Sequence, residues 1–264
     1  MLAKLFTKDP MNLRGPNVQK APETSFSLSG STLRFKCPPQ TASIPGIFKG
    51  SNFDFERDTD EEIGDPHNRH EIMLKTGWDF EDGWWKGMTF GGIRVGVFIA
   101  HNVWRLAAKD SLFRKTNLVR HSLDQERDAY IRCSASSAQV DRSDISEEDI
   151  RTKRYWSQHI PETKDDIELV SINGINWACF ETYFPDSPPR VHFEAAVEHN
   201  NMVRFVFSQD AFGGIDFFGP DHNLKEACHN LIQEIMGTVT LDLSPKAQQQ
   251  REDVIARYGK DEVI

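Results

Sequence analysis

Between residues 93 and 99 the chain reads Ile-Arg-Val-Gly-Val-Phe-Ile. Ile93, Val95, Val97 and Ile99 fall on one side of an extended backbone, and Gly96 and Phe98 on the other. That period of two predicts a strand with one buried face. Near the start, Leu33, Phe35 and Cys37 interleave with Arg34 and Lys36 in the same way. Ser29-Gly30 before them predicts a tight turn between two short strands. A further short strand is expected over 70–76.

Alternation is densest in the C-terminal third. A strand over 167–172 runs into Asn173-Gly174, a pair suited to the left-handed angles of a two-residue hairpin, and another strand follows. At 191–198, Val191, Phe193, Ala195 and Val197 are expected inside, with His192, Glu194 and Glu198 outside in water. Asn200-Asn201 predicts the next hairpin, leading into a strand over 202–208. Then the period changes. Leu224, Ala227, Cys228, Leu231, Ile232 and Ile235 recur at helical spacing, which predicts a helix capped by Asp221 and stopped at Gly237. His222 and His229 fall on its outer side. One more strand over 238–243 is expected to return to the meander, and Ser244-Pro245 opens a polar helix ending near Gly259.

Consecutive hairpins require antiparallel strands, so the predicted class is α+β: an antiparallel sheet with helices packed on its faces, sandwich-like. Residues 1–24, rich in proline and poor in apolar side chains, read as a flexible arm. Residues 25–243 read as the globular region and 244–264 as a polar C-terminal helix and tail. Within the globular region, 38–69 reads as an extended acidic loop and 110–133 as mixed, polar and helical in parts. Residues 134–165 form a linker or surface helix, started by Ser146 with Asp149 three positions on.

Phe-Gly-Gly-Ile occurs twice, at 90–93 and 212–215. The first copy leads into a strand, whereas the second leaves one for a loop. A duplicated module would keep its element order, so no repeat is inferred. Neither copy has the spacing of a dinucleotide or phosphate loop. The glycine pairs are expected to let backbone turn or bulge beside aromatic packing.

Charge narrows the classes of partner. Forty acidic against 31 basic residues give a net charge of -9. With no basic block, neither a phosphate backbone nor an anionic membrane surface is an expected partner, whereas a basic protein is. The first residues lack the apolar core of an export signal, and no apolar run reaches bilayer length, so a cytoplasmic location is expected. Cys37, Cys133, Cys179 and Cys228 lie far apart with no paired spacing; they read as reduced thiols, Cys179 and Cys228 within the core.

Two stretches carry candidate chemistry. Asp65, His67, His70 and Glu71 form the densest ligand-like cluster. If Asp65 capped a helical turn, His67, His70 and Glu71 would share a face, as a metal ion needs. The bland reading is a solvated loop. Trp78, Trp84, Trp85, Phe80 and Phe90 lie beside Glu81 and Asp82. Trp84-Trp85 sits between turn residues, and adjacent residues of an extended segment point to opposite faces, so one ring should be presented outward. Glu81, Asp82, Trp84, Trp85 and Phe90 are therefore the candidate partner-binding residues; the alternative is packing over the sheet. No nucleophile motif is present, and no cofactor is implied.

The run from Val191 through Leu243, with a helix ending in "LIQEIMG" that passes into a final strand, resembles the closing elements of PsbP-like proteins. That resemblance implies an α/β/α sandwich around an antiparallel sheet and roles in protein binding, and it brings no catalytic residues. The expected function is a non-catalytic protein-binding module of adaptor, chaperone or toxin-neutralising type. The alternatives are a metal-assisted hydrolase centred on Asp65, His67, His70 and Glu71, and a structural subunit of a larger assembly.

Overall fold

The computed structural model describes residues 9–55, 70–82, 88–100, 110–154 and 156–264, with the side chain of His70 left aside. The fold class is α+β, with two largely antiparallel sheets and helices packed on them. Strands β1 (Glu23–Leu28) and β2 (Ser31–Lys36) form the first hairpin, turned by Ser29 and Gly30 at φ 48° and 88°. Two short strands follow inside the expected loop, β3 (Ile47–Phe48) and β4 (Asn52–Phe53). The expected short strand at 70 is the start of a long one, β5 (His70–Glu81), paired with β6 (Thr89–Ala100).

The meander of the C-terminal third is present as β7 (Glu168–Ile172), β8 (Ile175–Thr182), β9 (Arg190–Glu198) and β10 (Asn201–Ala211). Asn173 and Gly174 turn β7 into β8 at φ 52° and 77°. The next turn lies one residue before the expected place, at His199-Asn200, and a bulge follows at Asn201/Met202. β10 pairs with β6 along its whole length, so one seven-stranded sheet runs β3-β5-β6-β10-β9-β8-β7. The smaller sheet runs β11-β2-β1-β4, where β11 is Thr240–Asp242. This corrects one expectation: the last strand joins β2 rather than the meander.

Between the sheets lies the main core. Val95, Val97, Phe205, Phe207, Phe193 and Trp177 from the large sheet meet Phe26, Leu33 and Phe35 from the small one. Helix α3 (Leu224–Met236) closes this layer with the predicted face: Leu224, Cys228, Leu231, Ile232 and Ile235 are buried, and Gln233 is exposed. Its cap is Asn223 rather than Asp221. Asp221 is exposed and His222 buried, against the expectation for that histidine. The N-terminal segment, expected as a flexible arm, is anchored from Asp9 on. Val18 is fully buried, and Arg14 exchanges backbone hydrogen bonds with Glu81 at 2.9 and 3.2 Å.

The opposite face of the large sheet is covered at one end by α1 (Lys115–Ala138) and α4 (Pro245–Tyr258). Ser244 caps α4 as expected, accepting from the Ala247 N–H at 3.2 Å. Residues 134–165 carry the end of α1 and a five-residue helix, α2 (Glu147–Arg151), with the Ser146–Asp149 capping box in place. Ile145, Ile150 and Ile160 pack there with Tyr130 in a small cluster of their own.

The two Phe-Gly-Gly-Ile copies meet in space, in different conformations. Gly91 lies in β6, where an added Cβ would stand 2.2 Å from the Asp210 carbonyl oxygen. Gly213 and Gly214 turn the chain after β10 at φ 63° and 78°. The Phe212 N–H donates to the Phe90 carbonyl at 3.0 Å, so the copies close one sheet end.

Candidate functional site

Helix α1 buries a stripe at every fourth residue: Leu118, Ser122, Glu126, Tyr130 and Ser134. Such spacing is what a helix face requires, but only Leu118 and Tyr130 bring an apolar body. The sheet surface beneath is polar as well. His192 and Glu194 of β9 and Arg204 of β10, which alternation assigns to water, are all buried under the helix. Arg204 lies directly across the β9–β10 ladder from Glu194. Its guanidinium pairs with Glu194 at 2.9 Å and also hydrogen-bonds Glu126. Ser122 donates to the same Glu194 carboxylate.

His192 completes the seam. Arg204 Nη2 lies 2.6 Å from His192 Nδ1, and His192 Nε2 lies 2.9 Å from Thr182 Oγ1. A guanidinium can only donate, so Nδ1 accepts and Nε2 carries the proton. Thr182 is then the acceptor at Nε2. Burial first, then the charges of Arg204 and Arg190, hold the His192 imidazole well below its usual range, and its ring stacks on Phe180 at 4.7 Å. Burial pushes the Glu194 carboxyl up, opposed by Arg204 and by the Ser122 hydroxyl.

The sign of the pH effect follows. A folded histidine held neutral takes up a proton less readily than the unfolded chain does, so stability falls as pH drops below about 6.5. One such group contributes up to about 1.4 kcal/mol per pH unit. Denaturant melts at pH 7 and pH 5.5 should therefore converge in His192→Gln relative to wild type. Equal pH dependence in the two proteins would place the titrating group elsewhere.

Beyond the seam the sheet face is open. A groove of about 710 Å³ runs over β5, β6, β10, β9 and β8, with Glu126 and Cys133 of α1 along one wall. Its floor follows the ladders. One row crosses the sheet as Gly77, Arg94, Ser208, Arg190 and Thr182; the next is Lys75, Gly96, Val206, His192 and Phe180. Arg94 is paired with Asp210 at 3.0 Å. Burial raises the Asp79 carboxyl beside them, with Arg94 acting against it.

The residues singled out from sequence lie elsewhere. Glu81 is exposed at the end of β5. Asp82 is buried, and its carboxylate accepts from the Met88 N–H at 2.7 Å. Phe90 is buried edge-on against His222, ring centres 5.5 Å apart. Trp84 and Trp85 lie outside the described residues, as do Asp65 and His67. His70 and Glu71 are consecutive residues of β5, so the helical turn imagined for the metal cluster does not include them. The Glu71 carboxylate stands 3.9 Å from the Lys49 ammonium. Among the described residues no three metal-ligating side chains converge. Burial raises three thiols, Cys37 to about 11 and Cys179 and Cys228 to about 12, so none is a ready nucleophile near neutrality.

A feature missed in the sequence lies beside Glu81 and Asp82. Met11, Met88 and Phe218 are 59%, 48% and 52% exposed. Backbone bonds bring their segments to one end of the molecule: Asp9 N–H to the Asp82 carbonyl at 3.0 Å, and Asn223 N–H to the Pro10 carbonyl at 3.1 Å. His222 Nε2, 2.9 Å from the Asp216 carbonyl, ties in the loop that carries Phe218.

Fold and site together define an α+β protein with a polar, helix-bordered groove on its larger sheet and an apolar, acid-rimmed sheet end. No family model, curated protein or solved structure matches the chain. No helix among the described residues is long and apolar enough to cross a membrane.

Proposed function

We propose that the protein is a binding module that docks a basic protein partner on the sheet end around Glu81, Asp82 and Phe90, without chemistry of its own. One observation carries this reading. Three large apolar side chains, Met11, Met88 and Phe218, are exposed on segments joined at one end of the fold, which also carry exposed Asp9, Glu81, Asp216 and Asp221; Lys225 stands with its ammonium 5.6 Å over the Phe218 ring. Single exposed apolar residues need no explanation, but a group rimmed by polar side chains has the layout of an interface. Four acids against Lys225 give these segments the same sign as the net charge of -9, so they complement a basic segment carrying an apolar anchor. Phe90, buried just behind, would support the surface rather than touch the partner.

The groove gives a reason to expect binding rather than catalysis. His192 is held as a neutral donor, Arg204 is shared by two carboxylates, and Arg94 is engaged by Asp210. None of these groups is poised to exchange a proton near neutral pH. The PsbP-like resemblance of the C-terminal third points toward protein binding as well.

Substituting Met88 and Phe218 together by Asp changes exposed side chains, with one edge contact to the core lost at Phe217, and places charge where the anchor would sit. A partner recovered with wild-type protein from the native host should be basic at its contact segment, be released by salt, and bind the double variant about 30-fold more weakly, the loss of about 2 kcal/mol typical of a hot spot. Undiminished capture by the variant would move the interface elsewhere.

A further inference from the structure

The large groove shares no lining residue with the proposed docking surface. Thr182, Arg190 and Ser208 sit on three adjacent strands in one ladder row, and all line the groove. Neighbouring strands lie about 4.8 Å apart, so the three positions span about 10 Å. Each offers a donor. The Thr182 hydroxyl accepts from His192 Nε2, so its own proton is unused there, although the residue is only 1% exposed. Ser208 is half-buried and its hydroxyl has no hydrogen-bond partner among the described residues, and Arg190 is exposed with no carboxylate partner among them. The two hydroxyls can donate or accept, whereas the guanidinium between them only donates, so the centre of the row calls for a ligand group that accepts.

We propose that this row binds the carboxylate of a small amphipathic organic acid, whose apolar body lies along Val206 and Phe98. Charge selects the class. Arg204 is balanced by Glu126 and Glu194, and Arg94 by Asp210, which leaves Arg190 as the cation of the row; Lys75, the other cation of the lining, stands on β5, three strands from Arg190. One unshared guanidinium matches a monoanion and undersupplies a phosphate dianion. An ammonium group would set its own N–H and its charge against Arg190, and a neutral amide would accept from Arg190 without the charge that strengthens the bond. Size agrees: about 710 Å³ lies in the range of roughly 300–1,000 Å³ usual for small-molecule sites. Val206 and Phe98 occupy successive rows of the floor on the same side of the Ser208 row.

Calorimetric titration with octanoate, its neutral isostere octanamide, and inorganic phosphate tests the site. Octanoate should bind at least about tenfold more tightly than octanamide, and phosphate should not saturate the protein. Arg190→Gln should remove that preference, and Ser208→Ala should reduce it, with melting curves unchanged because both side chains reach the surface. Equal binding of octanoate and octanamide, or an unchanged preference in Arg190→Gln, would overturn the proposal. So would tighter binding of phosphate, or of a capped acidic peptide, than of octanoate. None of these results bears on partner capture at Met88 and Phe218, so the two readings stand or fall separately.

Discussion

Arg204→Ala is expected to destabilise the fold by about 3–5 kcal/mol in denaturant melts at neutral pH. Arg204 is nine-tenths buried beneath α1 and joins Glu126 of the helix to Glu194 of the sheet. Its removal leaves two carboxylates facing each other with no cation between them, and takes the donor from His192 Nδ1. The loss should exceed that of Glu126→Gln, which keeps a polar group and leaves the Glu194 pair in place. Replacing all three charged residues by apolar ones of similar size, Arg204→Met with Glu126→Leu and Glu194→Leu, should recover much of the loss, because no charge is then left stranded. The cost of Arg204→Ala should also shrink as pH falls. Burial already pushes the Glu194 carboxyl up, and without the guanidinium it takes a proton more readily and ceases to be a buried charge. A cost below about 1 kcal/mol that is indifferent to pH would mean that water already reaches the seam.

The same seam marks where the sequence stops being readable. Elements with apolar faces are legible: Ile93 to Ile99, the Ser29-Gly30 and Asn173-Gly174 hairpins, and the face of α3 all lie where alternation and helical spacing put them. Helix α1 was visible only in parts because its buried stripe is Ser122, Glu126 and Ser134 rather than a run of leucines. The rule that polar residues face water fails for both partners at once, since each satisfies the other. His192 and Glu194 look solvated until Arg204 is known to lie opposite. That in turn depends on the turn. A tight turn at Asn200-Asn201 would set Glu194 opposite Phe207, whereas the turn at His199-Asn200 with its bulge sets it opposite Arg204. A one-residue shift of the turn together with one bulge decides which charges meet.

The proposed docking surface is half legible for a similar reason. Turn residues around Trp84 and Trp85 signal a hairpin end, and Glu81 and Met88 do stand at the surface there. Met11 and Phe218 come from segments far away in sequence, joined to that end by single backbone bonds that no local pattern announces. The groove was not legible at all. It exists because the strands of both halves of the chain share one sheet, bringing Arg94 beside Ser208 and Ser208 beside Arg190.

Phe205→Ala should cost about 3–5 kcal/mol, the range of a buried aromatic truncation. The ring is fully buried at the centre of the aromatic layer. Its centre lies 5.2 Å from Phe35 of the small sheet and 5.7 Å from Trp177 of the large one, both edge-on. Phe207 stands 6.4 Å away on the same strand. Edge-to-face aromatic pairs add about 0.5–1.5 kcal/mol each beyond the apolar area they bury. Because Phe35 belongs to β2 and Phe205 to β10, this contact holds the two sheets to each other rather than either sheet to itself. The double variant Phe35→Ala with Phe205→Ala should therefore cost less than the sum of the single ones, by about 0.5–3 kcal/mol, as expected for residues in direct contact. Unfolding followed by far-ultraviolet dichroism and by tryptophan fluorescence should stay coincident in all three variants. Strict additivity would mean that the two rings act independently. Separated transitions would mean that the small sheet can leave while the large one persists, and Phe205 would then stabilise a docking contact rather than a single cooperative core.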